Sequence, residues 1–305
     1  MVLGPTGTGK TELAVRVAER IGGEIVGCDA LQVYREVTVG TAKPAAEQRR
    51  RVPHHLVDVA DPRTPFTLGH YVALAEAAVA EIGARGKVPV VVGGTGMYLR
   101  GLLRGIVPSP PADPILRERL KRMAARFGSA RLHRWLRGLD PPSAARLPAG
   151  DAQRVTRALE GALAGAPWSR ALREEGTWAS GAERYPSVKI GLDRERKAHG
   201  LALDARVEGF FAAGLMDEVR ALLASGVPPT ANALKAIGYR QIVAGLGQGT
   251  ALPEIVAEVK QATRRYAKRQ RTWFRKEPGV TWLDAGEPAH ALAERIADLW
   301  GRRLL

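Results

Sequence analysis

Lys10 and Thr11 close the string GPTGTGKT (Gly4–Thr11), and their types and spacing suit them to phosphate chemistry. The string satisfies G-x-x-x-x-G-K-[ST] at Gly4, Gly9, Lys10 and Thr11, with a further glycine at Gly7. Glycines let the backbone wrap an anion with its N–H groups, and the helix that follows adds its partial positive charge. The candidate binding segment is therefore Gly4, Pro5, Thr6, Gly7, Thr8, Gly9, Lys10 and Thr11. Lys10 supplies a point charge to the terminal phosphates, and the Thr11 hydroxyl suits Mg²⁺. The pattern specifies a diphosphate more strongly than it specifies ATP.

Asp29 is the second candidate, in CDALQVYREVTVGTAKP (Cys28–Pro44). It falls at the C-terminal end of a predicted strand, where open parallel sheets place ligand groups. A carboxylate there ligates Mg²⁺, serves as a general base, or merely caps a turn and positions water. Thr95 follows a second strand end, with Gly93 and Gly94 leading into it, and its hydroxyl either reaches the same crevice or caps a helix. Farther along, TRRYAKRQRTWFRK (Thr263–Lys276) holds seven basic residues in fourteen and no acid. On a helix, Arg264, Lys268, Arg271 and Arg275 form one positive stripe, with Tyr266, Gln270 and Trp273 on a neighbouring face. Such a stripe is usually a solvated face, but interleaved aromatics and the charge balance turn it toward a nucleic-acid backbone. Adjacent His54 and His55 would point to opposite faces of a strand, so structural roles are expected for them.

These residues need a frame. Glu24–Asp29 and Val88–Gly94 read as short buried parallel strands, with a helix over Thr67–Arg85 between them. Strand–helix alternation predicts an α/β fold, a parallel sheet with helices on both sides. At VPSPPADP (Val107–Pro114) four prolines in eight residues mark a boundary. From Ile115 to Arg173 the pattern is helical and Arg- and Ala-rich; then Ser187–Asp193 reads as a strand returning to the sheet. Helices follow at Arg194–Ala213, Leu215–Ala224 and Pro253–Lys276. The expected organisation is a core of 1–111 and 187–305 with a helical insertion at 112–186.

The whole chain, 305 residues with 45% apolar content, suffices for a sizeable core. It holds 46 Lys and Arg against 31 Asp and Glu, a formal charge of +15, which favours a polyanionic partner modestly. The single cysteine, Cys28, excludes internal disulfides and a Cys-based zinc site. With no membrane-span pattern and no basic-then-apolar leader, a cytoplasmic protein without a membrane partner is expected, and nothing demands more than a monomer.

Taken together, the chain resembles the tRNA dimethylallyltransferases (tRNA isopentenyltransferases). The likeness runs through GPTGTGKT, Asp29–Tyr34 leading to GTAKP, PHHLVDV (Pro53–Val59), VVGGTGMYL, DAQRVTRALE (Asp151–Glu160), KAIGYRQ (Lys235–Gln241) and TRRYAKRQRTWFR. The resemblance implies a P-loop NTPase-like parallel sheet flanked by helices, with a helical insertion domain. It implies transfer of a dimethylallyl group from dimethylallyl diphosphate to N6 of the adenosine at tRNA position 37. It makes Lys10 and Thr11-bound Mg²⁺ the stabilisers of the leaving diphosphate, Asp29 the general base, and Thr95 the hydroxyl of the reaction channel. It assigns tRNA contacts to Asp29, Ala30, Leu31, Gln32 and Thr95; to Arg117; and to Gln153, Arg154, Val155, Thr156 and Arg157. It assigns further ones to Lys235, Ala236, Ile237, Gly238, Tyr239 and Arg240, and to Lys268, Arg269, Gln270, Arg271, Thr272, Trp273, Phe274 and Arg275. The helical insertion would grip the anticodon stem as a second clamp. Three departures stand out: Ala30 where the family usually has Ser, only Met1–Leu3 as a first strand, and no zinc-finger tail.

Two other readings compete. A small-molecule or nucleotide kinase accounts for the first hundred residues but leaves the basic helix unexplained. An RNA-binding module with a nucleotide switch would hydrolyse nucleotide, and no acidic Walker-B strand supports it.

Overall fold

The computed structural model describes residues 1–106, 113–175 and 182–302. The chain forms two compact units, Met1–Leu102 with Pro186–Leu305, and Leu103–Tyr185. Most of the proline-rich stretch, residues 107–112, lies outside the described residues.

The first unit is built on six parallel strands in the order β3-β2-β4-β1-β5-β6. These are β1 (Val2–Leu3), β2 (Gly23–Gly27), β3 (His54–His55), β4 (Val88–Gly93), β5 (Lys189–Asp193) and β6 (Val280–Asp284). The short β1 is central, pairing Val2 with Val92 on one side and with Ile190 on the other. The strand read at Ser187–Asp193 does return to this sheet. β6 was not foreseen; its Lys189↔Val280 to Asp193↔Asp284 register places it on the far edge.

Strand residues alternate between faces. Ile25, Val90 and Ile190 share one core with Leu13, Val17 and Ala18 of α1 (Lys10–Ile21) and with Leu292 and Ile296 of α14 (Ala289–Gly301). On β2 and β4 the neighbouring Val26 and Val91, also buried, face the other way, and α3 (Leu68–Ala84) packs on those two strands. A second core gathers Val33, Tyr34 and Val37 beneath α10 (Arg196–Ala212), α11 (Leu215–Ala224), α12 (Tyr239–Gln248) and α13 (Leu252–Phe274). The short α2 (Ala46–Arg51) precedes β3, and α4 (Gly96–Arg104) leads out of β4.

The second unit is helical: α5 (Pro114–Phe127), α6 (Ser129–Leu139), α7 (Pro141–Arg146), α8 (Ala152–Leu163) and α9 (Trp168–Glu175). Leu120, Leu132, Leu136, Val155 and Leu159 form its core. Buried Asp140 accepts from Ser143 N (3.3 Å) and Ser169 N (3.2 Å), tying α7 to α9. No described helix is long and apolar enough to cross a membrane.

Candidate active site

Because all six strands run in parallel, their C-terminal ends share one edge of the sheet, and three of them deliver the candidate residues there. β1 feeds the phosphate loop, β2 ends beside Asp29, and β4 ends beside Thr95. In the loop Gly7 (φ 79°) and Gly9 (φ 77°) adopt the left-handed region that a side chain disfavours. The turn therefore closes onto the N-terminus of α1, and Lys10 Nζ lies 2.7 Å from the Pro5 carbonyl.

The crossing of β2 and β4 depends on a missing side chain. A Cβ on Gly93 would fall 1.9 Å from the Cys28 carbonyl oxygen. That close approach lets Thr95 N donate to Cys28 O (3.2 Å), and Thr95 Oγ1 accept from Ala30 N (3.1 Å). The threonine hydroxyl thus bridges to the Asp29 segment, and its proton stays available to donate. Asp29 Oδ1 accepts from Leu31 N (2.9 Å) and Gln32 N (3.4 Å), which fixes the carboxylate and leaves Oδ2 without a partner among the described residues. Burial pushes the Cys28 thiol up to about 12, so it is not a nucleophile.

Asp29, Thr95, Lys10 and Thr11 line one cavity of about 630 Å³. Arg206, on α10, lines it too and was missed in the sequence because no local motif surrounds it. Its guanidinium lies over the Phe210 ring (5.0 Å to the centroid) and makes no ion pair or hydrogen bond among the described residues. Burial draws the Arg206 pKa down, against the opposing pull of Asp29. Burial also lowers Lys10 to about 8, opposed by Asp29 and reinforced by Arg206. Two cations so placed suit a polyanion. Leu31, Phe210, Ile237 and Val259 give the same cavity an apolar wall.

Mg²⁺ fits this donor set. No group of three or more His, Cys, Asp or Glu residues capable of holding a metal exists among the described residues. Thr11 lines the cavity, and its hydroxyl has no partner among the described residues. Mg²⁺ commonly takes one or two protein oxygens and completes its shell with substrate phosphates and water.

The basic helix is placed differently from the expectation of one free stripe. On α13, Arg271 Nε donates to Asp193 Oδ1 (2.8 Å), and Arg275, just past its end, donates to Asp193 Oδ2 (2.7 Å). Arg264 pairs with Asp204. Three of the four stripe cations are therefore paired with carboxylates from β5 and α10, Arg271 and Arg275 sharing one. Lys268 and Arg269 remain exposed, and Thr272 is exposed as well. Gln270 is buried and braces the site: its Nε2 donates to Gly94 O and its Oε1 accepts from Thr6 N, both at 2.8 Å. Trp273 packs where a Gly96 Cβ would fall, with Arg100 over its ring at 4.6 Å, and Phe274 is buried.

The remaining expected contacts divide in the same way. Gln32 Nε2 holds Thr41 O and Ala42 O (both 3.1 Å). Lys235, beside Asn232, and Arg240 are exposed, and Ile237 lines the cavity wall. Ala236, Gly238 and Tyr239 are buried; the Tyr239 hydroxyl accepts from Gly40 N (3.0 Å) and donates to Glu218 (2.5 Å). In the helical unit Gln153 and Arg154 are exposed, whereas Val155 and Thr156 are buried. Arg117 and Arg157 both donate to buried Glu160, at 2.7 and 2.8 Å. His54 bonds Val52 O and His55 bonds Glu24, each at 2.7 Å.

Comparison with known proteins supplies the identity. The IPP transferase family profile matches residues 32–277, and an isopentenyl transferase profile matches residues 1–54. A tRNA dimethylallyltransferase of Syntrophobacter fumaroxidans is 44% identical over 312 residues, covering 100% of this chain and 89% of its own. That of Geobacter metallireducens is 46% identical over 285 residues, covering 93% of this chain and 91% of its own. The solved tRNA isopentenylpyrophosphate transferase of Bacillus halodurans has a TM-score of 0.74 at 33% identity, over 99% of this chain and 95% of that one. A eukaryotic dimethylallyltransferase acting on tRNA, 24% identical, shares the fold with a TM-score of 0.77, over 93% of this chain and 73% of that one. From the phosphate loop to the far end of α13, the chain belongs to the IPP transferase family.

Proposed function

We propose that this enzyme transfers the dimethylallyl group of dimethylallyl diphosphate to the exocyclic N6 of the adenosine at position 37 of a tRNA, releasing diphosphate. The observation that carries the reading is one cavity lined by Lys10 and Arg206 together with a fixed carboxylate, a free hydroxyl proton and an apolar wall. A phosphate cradle alone would serve a kinase; the apolar wall suits a short hydrocarbon.

The chemistry divides among these groups. The N6 lone pair forms the new C–N bond as the allylic C–O bond breaks, and the bonding pair leaves with the diphosphate. Negative charge grows on the departing oxygens, where the loop amides, Lys10 and Arg206 stabilise it. Mg²⁺, held by Thr11 and the diphosphate, would supply further positive charge there. Adenine N6 is a weak nucleophile because its lone pair is delocalised into the ring. Asp29 Oδ2 accepts an N6 proton as the bond forms, which prevents a full positive charge on nitrogen. Thr95 Oγ1 is held by Ala30 N, so its proton orients a diphosphate oxygen or the amine. The adenosine must leave its stack to reach this depth, at a cost of about a few kcal/mol.

The test uses Mg²⁺, labelled dimethylallyl diphosphate and unmodified tRNA bearing adenosine at position 37. Label enters the tRNA with wild-type protein. Asp29→Asn lowers kcat about 10²–10⁴-fold with little change in pyrophosphate affinity. Transfer of γ-phosphate from ATP without prenylation overturns the reading.

A further inference from the structure

Thr6 lies in the phosphate loop, and both polar groups of its backbone are held by side chains far away in sequence. Its N–H donates to Gln270 Oε1 (2.8 Å). Its carbonyl lies 2.8 Å from His199 Nε2. The other imidazole nitrogen, Nδ1, lies 3.0 Å from Arg271 Nη2. A guanidinium only donates, so Nδ1 accepts and the ring proton sits on Nε2, where it is donated to the Thr6 carbonyl. Arg271 is held in turn by Asp193 Oδ1 (2.8 Å) and the Arg194 carbonyl (3.2 Å). The chain of bonds runs Asp193–Arg271–His199–Thr6, and every donor has its acceptor.

Resting on the diphosphate reading above, we propose that His199 and Arg271 are positioning residues that clamp the Thr6 peptide and so set the phosphate loop for its ligand. The clamp requires neutral imidazole. A second proton on Nδ1 removes the acceptor of Arg271 and sets two cations against each other at 3.0 Å. The charged groups facing the ring are Arg271 from α13 and Asp193 and Arg194 from the end of β5. The loop itself presents only the Thr6 carbonyl and Gly7. Burial holds His199 below the ordinary imidazole range; the Thr6 carbonyl pulls the other way, and the Arg271 cation adds to the lowering. The clamp is therefore whole near neutrality and fails as pH falls through the lowered pKa.

The experiment measures inorganic pyrophosphate binding by calorimetry from pH 8 to pH 5, with Mg²⁺ and without tRNA. His199→Leu, which removes both bonds, weakens binding about 5–10-fold at pH 8, the effect of losing a hydrogen bond that orders the loop. His199→Gln keeps a donor for Thr6 and an acceptor for Arg271 but does not titrate. It binds within about twofold of wild type at pH 8. At acid pH the wild type weakens relative to His199→Gln; this ratio cancels the protonation of pyrophosphate and of Lys10, which the two proteins share. Unchanged circular dichroism and melting temperature separate the effect from unfolding. If wild type binds pyrophosphate and His199→Leu binds equally well, the clamp is refuted while the diphosphate reading stands. An identical acid loss in His199→Gln refutes the proton dependence. Absence of any pyrophosphate binding by wild type overturns the diphosphate reading and the clamp with it.

Discussion

Lys10 is the residue whose ionisation most directly governs this site. Its ammonium is lowered by burial to about 8, with Arg206 adding repulsion and Asp29 opposing it. At neutral pH the charged form still prevails, and it gives way to neutral amine as pH rises through that value. Affinity for a diphosphate that depends on this charge must therefore fall on the alkaline side. In steady-state assays kcat/KM for dimethylallyl diphosphate reports the free enzyme, and its alkaline limb should break at about pH 8. Lys10→Met should abolish the limb and lie flat at a level about 10–100-fold lower, the effect of losing a charge-assisted bond. A wild-type profile that stays level well above the break would show that the charge of Lys10 is not needed. Arg206, already charged throughout, contributes no limb of its own.

At the scale of elements, the segment Gly40–Ala42, at the end of a single 3-10 turn (Val39–Thr41), lines the cavity and is held by its neighbours. Glu218 on α11 accepts from Thr38 N (3.0 Å) and Val39 N (2.8 Å), while the Tyr239 hydroxyl on α12 accepts from Gly40 N. Tyr239→Phe keeps the ring but leaves Gly40 N–H without this partner. Urea denaturation should find it less stable by about 1–3 kcal/mol, and a midpoint equal to wild type would deny the brace. This arrangement also explains what could be read in the sequence. The phosphate loop was legible because its glycines and Lys10 meet a local backbone requirement. The strand ends at Asp29 and Thr95 were legible because apolar runs stop there. The state of the α13 stripe was not: helical spacing gave its angle correctly, but Asp193, which Arg271 and Arg275 share, lies 78 and 82 residues away. Helical period cannot reveal a partner on another element. The resemblance assigns tRNA contacts to Tyr239 and Gln270, and helical period alone does not reveal whether such polar groups face solvent or brace a loop. β6 escaped notice because five residues are too few for strand alternation to stand out.

Over the whole molecule, the formal charge of +15 suits association with a polyanion, but the cations are not equivalent. An arginine that already shares a carboxylate brings less net positive charge to a phosphate, so it releases fewer counterions from the nucleic acid. Arg271 and Arg275 share Asp193, Arg264 has Asp204, and in the helical unit Arg117 and Arg157 share Glu160. Lys268 and Arg269 in the first unit are exposed with no carboxylate partner among the described residues, and exposed Arg154 in the helical unit has Asp151 at 3.6 Å. Each phosphate neutralised in a single-stranded segment contributes about 0.7 to the slope of log K against log salt, and about 0.9 in a duplex. The double variant Lys268→Ala, Arg269→Ala should therefore flatten the salt dependence of tRNA binding by about 1.4–1.8. Arg271→Ala with Arg275→Ala should do the reverse: the tRNA slope stays near wild type, while pyrophosphate binding weakens because His199 loses the partner that orients it toward Thr6. Binding of tRNA measured across a salt series, alongside pyrophosphate calorimetry on the same proteins, separates the two. Equal loss of slope in both double variants would mean that Asp193 releases its arginines when tRNA arrives, and that the stripe acts as one surface after all.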